Sequence, residues 1–507
     1  MLLAEQWIPD LSALFSHFGA EAILTLAIPV LIVADLLAGR ARREQVAVTI
    51  SVVAFVLAFL VALAQPSGSD AILTRLLRAD GLAKAFRVLA IGTGMVASVA
   101  ALRGGDLPRA RTEFFVCLLG AVLGACLTAA ANNLAMLYLA IETLSIAGYL
   151  LAGFRKDNPQ STEAALKYVI FGAISSGLML YGMSLLYGFA GTATITGPNS
   201  LASVAGTASG SPAFLIAVVL VFAGMAYKIA AAPFQFWCPD VYEGAPTSVA
   251  AFLAVASKGA GFAAILRFVG AATGGGQGLT EALSMSNESV RMVLLGMALI
   301  TMTIGNVAAL RQRHAKRLLA YSAIAHAGYL LMGVAVTTSA GAAAVVFYMV
   351  VYLFMTLGAF FMVAVVERET GRGDIDAFTG LGFTTPAFGI CMAICLLGLI
   401  GLPPTGGFVG KFFLLKEVFA FGGAESSPFF FWGGVIALLN TVIGLGYYTR
   451  FLKVMYLFDR DRLPERKFSF AGVDQGLVFA ITAPVLILGV AFAGLADLAR
   501  GLTGGIF

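Results

Sequence analysis

The stretch LPPTGGFVGKFFLLKEV, Leu402 to Val418, lies inside an otherwise apolar run from Ala387 to Ala420. Drawn as one straight α-helix, those 34 residues would extend about 50 Å, against about 30 Å of hydrocarbon in a bilayer. Pro403 and Pro404 cannot continue the helical hydrogen-bond ladder, and Gly406 and Gly407 add backbone freedom. The run therefore reads as a membrane helix broken inside the bilayer, with Lys411 just past the break. Freed backbone groups there are tolerated only against protein or a water-filled cavity. Gly410-Lys411 does not end a phosphate-binding loop, because Thr405 and Phe412 stand where that motif needs glycine and Ser or Thr.

Composition agrees with a chain built to sit in lipid. Of 507 residues, 60% are hydrophobic and 12% charged, against about 25% charged in soluble domains. Fourteen apolar runs are long enough to cross, near 21–38, 45–64, 84–102, 113–131, 134–153, 162–190, 213–232, 244–270, 290–309, 317–337, 341–366, 386–420, 430–457 and 475–498. The N-terminus has no basic n-region and carries Glu5 and Asp10, so the first run is expected to stay as a membrane helix. The loops at 66–83, 191–212, 271–289 and 458–474 are too short for a separate domain, and GGGQG at 274–278 reads as a flexible loop. Arg and Lys cluster in alternating loops (Arg40, Arg42 and Arg43; Arg103, Arg109 and Arg111; Arg155 and Lys156; Arg311 to Arg317; Arg368 and Arg372; Arg460 to Lys467). By the positive-inside rule that set is cytoplasmic and both termini face outward. The net charge of +5 thus reports orientation, and no nucleic-acid partner is expected. Cys117, Cys126, Cys238, Cys391 and Cys395 form no metal-ligand pattern and read as packing residues.

A repeat is visible. Gly148-Tyr149-Leu150-Leu151 recurs as Gly328-Tyr329-Leu330-Leu331, 180 residues on, and Tyr168 recurs as Tyr348. The expected organisation is three N-terminal helices (1–112), a first five-helix repeat (113–271), a second (289–457) and a C-terminal helix (458–507). An odd number of crossings per repeat inverts the second copy. The fold class is an all-α polytopic membrane protein of about fourteen helices, with two inverted five-helix repeats, each containing a broken helix.

Four ionisable residues stand out within the runs: Glu142, Lys228, Lys258 and Lys411. A charge at helix centre costs about 2.5–3.5 kcal/mol, so four cost roughly 10–14 kcal/mol, near the whole net stability of a domain at about 5–15 kcal/mol. Such groups must be paired, hydrated or able to go neutral. A lysine moved between a carboxylate partner and a dry site can take up and release a proton. The bland alternatives are static ion pairs between helices, or snorkelling. Lys228, five residues before Pro233, marks the matching break in the first half. Lys167, with Glu163 one turn before it, is either a local pair or part of a proton route. His326, inside a run, suits proton transfer or simple packing. His314 reads as solvated or headgroup-facing, and Asp35 as paired with Arg40 or capping the interface.

The segment PFQFWCPDVYEGAPTSVAAFLAVASKGAGF, Pro233 to Phe262, resembles the N-subunit family of respiratory complex I, the proton-translocating NADH:quinone oxidoreductase. LPPTGGFVGKFFLL resembles that family's second broken helix, RLLAYSAIAHAGYLLMG another of its spans, and the Glu142 segment its acidic helix; the likeness covers nearly the whole chain. Gln235 stands where the family usually has histidine, which puts a proton relay at that position in doubt, and Ser248 where proline often follows the threonine. The resemblance implies a Glu142–Lys228 pair as switch, Lys258 as central relay and Lys411 as terminal lysine, with Lys167 and His326 along the hydrated axis. It implies no redox centre or cofactor on this chain, with NADH, FMN, iron–sulfur clusters and quinone served by partner subunits. The partners implied are neighbouring antiporter-like and small membrane subunits, and lipids, in a bacterial inner membrane with both termini periplasmic. Rival readings are a subunit of a monovalent cation/proton antiporter and a non-translocating scaffold. The absence of a PDAH-like segment at Pro239–Glu243, and the few residues after the last run, favour the N-subunit family.

Overall fold

The computed structural model describes residues 11–39, 42–66, 72–73, 76–105, 111–197, 200–201, 212–273, 287–424, 427–457, 472–504 and 506. The basic residues Arg40, Arg109 and Arg460 to Lys467, the acidic Glu5 and Asp10, and the 274–278 loop lie outside them. The helices are α1 (Leu11–Leu37), α2 (Arg43–Ala64), α3 (Gly81–Arg103), α4 (Arg111–Ala130), α5 (Leu134–Ala152), α6 (Pro159–Ala190) and a broken α7, made of α7a (Pro212–Ile229) and α7b (Trp237–Gly244). Then come α8 (Thr247–Phe252 and Lys258–Thr273, joined by a π-helical turn at Leu253–Ser257), α9 (Asn287–Ala309), α10 (Ala315–Ala335) and α11 (Ser339–Thr370). A broken α12 (α12a, Pro386–Ile400; α12b, Gly406–Ala424), α13 (Pro428–Tyr456), α14 (Gly472–Val490) and a short α15 (Ala493–Thr503) complete the chain. Among the described residues thirteen helices are long and apolar enough to span a membrane, and the broken α12 supplies a fourteenth crossing. A two-residue hairpin, Ile72–Leu73 with Leu77–Arg78, sits in the loop before α3.

The contacts between loops respect the alternation read from the basic residues. The loops before α3, α5 and α7 meet through the Leu77–Ala131 and Asn133–Thr194 bridges. At the other face, Asp474, fully buried at the start of α14, takes Arg103 from the end of α3 at 2.5 Å and Arg368 from the end of α11 at 3.3 Å. Arg317 at the start of α10 holds Asp240 and Glu243 of α7b at 2.6 and 2.8 Å on that same face.

The repeat is stronger in three dimensions than in sequence. Helices α6 and α11 both have 32 residues and lie 180 positions apart. Each starts on a side-chain N-cap, Asn158 or Thr338, and each stops at a glycine in the left-handed region, Gly191 or Gly371. The N-cap oxygen satisfies a free first-turn N–H, and glycine alone adopts that C-terminal conformation without strain. The core is formed by α8, α10 and α11, which are buried along nearly their whole length, whereas α1, α2, α6 and α14 expose broad apolar faces suited to lipid or partner helices.

The expected pairing of Asp35 with Arg40 lies outside the described residues; Asp35 accepts a hydrogen bond from Thr112 Oγ1 at 2.8 Å. One minor expectation is corrected. His314 is half-buried rather than solvated: it forms a β-bridge with Asp374 and its ring fills the space beside Gly373.

Candidate functional site

The two breaks place their lysines by different means. Helix α7a ends at Ile229, where Ala230 turns into a positive φ of 57° before Pro233. The carbonyl of Tyr227 is taken by the Trp237 indole at 3.1 Å, and the Ala232 N–H by Thr301 Oγ1 at 2.9 Å. The break is thus satisfied by protein, as a non-helical segment at membrane depth requires. Lys228, only 1% exposed, turns sideways from the last turn of α7a and donates to Ser145 Oγ of α5 at 3.0 Å. It lies 6.0 Å from the centre of the Tyr168 ring.

At the second break Lys411 works on the backbone itself. It reaches from α12b to the end of α12a, donating to the carbonyls of Leu399 at 3.0 Å and Ile400 at 2.9 Å. A cation suits this place, since the last carbonyls of a helix are unpaired and carry the negative end of its dipole. The ammonium also sits 4.5 Å from the centre of the Tyr329 ring, the geometry of a cation–π contact.

Lys258 occupies the middle. It follows the π-helical turn directly, is 2% exposed and donates to the Ala323 carbonyl of α10 at 2.7 Å. Gly261, one turn on, lets α8 press against the end of α7a: a Cβ there would lie 2.6 Å from Ile229 Cγ2 and 3.5 Å from Lys228 Cβ. His326, also 2% exposed, stands one turn along α10 from Ala323. Both Lys258 and Lys411 lie within electrostatic range of it.

Glu142 differs from the lysines. It is half-buried on the outer face of α5 and accepts a short hydrogen bond from Ser176 of α6. It faces Lys228 at electrostatic range, but the contact expected from the sequence is replaced by Ser145, three residues on. Lys167 forms its local pair with Glu163 at 2.7 Å and a second with Asp240, also at 2.7 Å. That places it in the charged cluster of α6, α7b and α10 rather than beside the buried lysines. Gln235, in the first break, is 4% exposed, and its Oε1 finds no hydrogen-bond partner among the described residues.

A sequence model described as NADH:quinone oxidoreductase/Mrp antiporter, transmembrane, matches residues 131–437. That is more than half of the chain and runs from α5 into the first third of α13. The chain belongs to this family. It is 40% identical over 450 residues to NADH-quinone oxidoreductase subunit N of Anaeromyxobacter sp. (strain Fw109-5), covering 87% of each chain. It is 40% identical to subunit N 2 of Sorangium cellulosum (strain So ce56), across 95% of this chain and 96% of that one. A chain of respiratory complex I from Thermus thermophilus with bound aureothin superposes with a TM-score of 0.76 at 28% identity, over 95% of this chain and 100% of that one.

The buried lysines sit amid polar groups that hydropathy could not reveal. Ser145 and Ser176 look like ordinary small helix residues, yet they hold Lys228 and Glu142. In the second half Asn306, Asn440, Tyr447 and Thr303 join by hydrogen bonds of 3.1–3.2 Å across α9 and α13. The available signal was the run of uncharged polar residues at helical spacing within otherwise apolar spans.

Proposed function

We propose that this chain is a proton-translocating subunit of the membrane arm of an NADH:quinone oxidoreductase, with Glu142, Lys228, Lys258 and Lys411 carrying the charge and His326 between the last two. One observation carries the reading. All three lysines are nearly fully buried, yet each ammonium rests on neutral oxygens: Ser145, the Ala323 carbonyl, and the Leu399 and Ile400 carbonyls. A scaffold of static ion pairs would place carboxylates there, as the fold does elsewhere with Glu21–Arg87 at 2.6 Å and Asp80–Arg267 at 2.7 Å. Neutral partners leave each lysine free to lose its proton without stranding a buried anion. The likeness to subunits named NADH-quinone oxidoreductase subunit N along nearly the whole chain supports the same reading.

Glu142 is the group best placed to receive a signal. Around it α5 and α6 expose Leu139, Ile146, Leu150, Phe171 and Ile174, and a half-exposed carboxylate at membrane depth is too costly to leave against lipid. A partner subunit of the arm covers this face, so charge movement there alters the field at Lys228. No redox centre acts on this chain; NADH, flavin, iron–sulfur clusters and quinone belong to partners. The basic loops lie on the cytoplasmic side of a bacterial inner membrane and both termini on the periplasmic side. Lys167 serves the cytoplasmic charge cluster with Asp240 and Arg317.

The test is Lys228→Ala in the assembled complex reconstituted into vesicles. Intact subunit composition with proton pumping lost supports the reading, and unchanged protons per NADH would sink it. A scaffold predicts the reverse, loss of assembly first. Pumping that requires sodium would transfer the chain to the antiporter branch.

A further inference from the structure

The last three turns of α13 carry two cations that no described carboxylate neutralises. Gly446, Thr449, Arg450, Lys453 and Tyr456 follow one another at helical spacing down one face and, with Ala393 of α12a, line a groove of about 730 Å³. No carboxylate stands among its lining residues. Lys453 is exposed and has neither an ion-pair partner nor a side-chain hydrogen bond among the described residues. Arg450 is pinned by backbone instead: it donates to the Leu310 carbonyl at 2.6 Å and, in a short bond, to the Gln312 carbonyl. These contacts use two of the five guanidinium N–H donors and leave three. The loop that Arg450 holds adds two exposed cations, Arg311 and Arg313. On the segment beside that loop Asp374 is already held by Arg372, and Asp376 is exposed. Elsewhere on this face basic residues at helix ends do meet carboxylates, as Arg103 and Arg368 meet Asp474 and Arg317 meets Asp240 and Glu243. We propose that the groove binds one anionic phospholipid, its phosphate held by Arg450 and Lys453 and an acyl chain lying along Gly446 and Ala393.

Depth and shape select that ligand. Helix α13 has 29 residues and extends about 43 Å, against about 30 Å of hydrocarbon, so it reaches beyond the acyl layer. Lys453 and Arg450 stand about 5 and 9 Å before its end, at the level of the head groups, and Gly446, about 15 Å before it, lies where the chains begin. Basic pockets between membrane helices suit phosphorylated head groups, and each cation gains from an anionic surface. The planar fork of an arginine matches two phosphate oxygens at once. Two carbonyls already fix this one in place, so little side-chain freedom is lost on binding. Lys453 is a point charge on a flexible stem and can close on the same phosphate. Glycine and alanine leave room for a chain to run toward the membrane interior, and Tyr456 lines the head-group end, where a ring with a polar tip is favoured. Snorkelling alone would account for Lys453, but not for an arginine tied beside it to two backbone carbonyls. A free phosphate would use the cations and leave the apolar end of the groove unfilled.

The experiment labels the complex, purified in mild detergent, with a phosphatidylglycerol that carries a photoreactive diazirine on one acyl chain, and maps the labelled peptides. Label should fall on α12a near Ala393 and on the last three turns of α13. The half-saturating concentration should rise about fivefold in Arg450→Gln or Lys453→Gln and about thirtyfold in the double variant. Unlabelled phosphatidylglycerol should compete, whereas phosphatidylcholine and inorganic phosphate should not. Lys453 makes no side-chain contact among the described residues, so Lys453→Gln keeps the test decisive even if losing the Arg450 contacts loosens the loop. Lys416→Gln, at an exposed cation of α12b, should leave the labelling unchanged. Equal labelling by a phosphatidylcholine probe, or labelling that Lys453→Gln does not weaken, would reduce the groove to ordinary lipid contact and overturn the proposal. Competition by inorganic phosphate at the same concentrations would assign the cations to a free anion and overturn it too. A photoreactive residue at Leu457, 71% exposed at the end of the groove, that captures a neighbouring subunit instead of lipid would also overturn it.

Discussion

Replacing Lys411 by methionine separates what this lysine does for the fold from what it does for protons. Methionine keeps the length of the chain and loses the ammonium, so two charge-assisted hydrogen bonds to Leu399 and Ile400 disappear. Leaving two buried carbonyls unpartnered costs about 1–3 kcal/mol each, or roughly 2–6 kcal/mol together. Against this, removing a charge from membrane depth recovers about 2.5–3.5 kcal/mol. The two nearly cancel: the difference runs from about −1.5 to about +3.5 kcal/mol and centres on about 1 kcal/mol of destabilisation, small enough for the subunit to remain in its complex. Pumping has no such compensation, because a thioether cannot carry a proton. The assay is the variant complex purified in mild detergent, checked for subunit content, then reconstituted with a pH-sensitive dye inside the vesicles. The expected result is full subunit content with proton uptake reduced to background. A complex that pumps normally refutes the role assigned to Lys411. Loss of the subunit on purification refutes the energy argument, and shows that the lysine is chiefly a cap on α12a.

Three further outcomes follow from particular contacts. Gly410→Ala puts a Cβ 2.3 Å from the Tyr348 ring; overpacking of this kind costs about 1–3 kcal/mol, so thermal melting should fall and pumping with it, while Gly177→Ala, where the space is open, should be silent on both measures. Arg87→Met strands Glu21, its 2.6 Å partner buried between α1 and α3, at about 3–5 kcal/mol; adding Glu21→Gln should restore most of the lost melting temperature. Burial alone would raise the carboxyl of Asp80, which lies in the loop before α3, but the two hydrogen bonds from Arg267, the Ala83 N–H and nearby Arg78 hold it below its usual range. A depressed value means its stabilisation is present above the unfolded carboxyl value of about 3.9 and drains away as pH falls through the folded one. Melting temperature should therefore drop on acidification below about pH 4, and Asp80→Asn should flatten that part of the curve.

How far these features could be read from sequence depends on the range of the interaction behind them. The number of crossings, the break at Pro403-Pro404 and the buried lysines rest on local rules of length, proline chemistry and charge cost, and they stand in the structure as read. The faint likeness between Gly148-Tyr149 and Gly328-Tyr329 marked a true 180-residue offset that extends to helix length and both caps. Contacts between distant helices were another matter. Ser145 intercepting Lys228, Asp240 drawing Lys167 away from the axis, and the Tyr448 phenol on His326 join residues 73 to 122 positions apart. Nothing in the periodicity of either segment specifies which polar side chain will meet which.

The 180-residue offset carries one more consequence. Inversion maps one face of the membrane onto the other, so two identical halves would offer the same chemistry to both sides, and the chain would have no inward or outward sense of its own. Counting 180 positions on from Glu142 arrives at Ser322, and the same step from Ser176 arrives at Thr356. The half-buried acid held by Ser176 in the first copy is a neutral hydroxyl turned to Tyr448 in the second. Two copies of one helical plan thus differ in charge at matched places, so that a chain of repeated architecture has a front and a back.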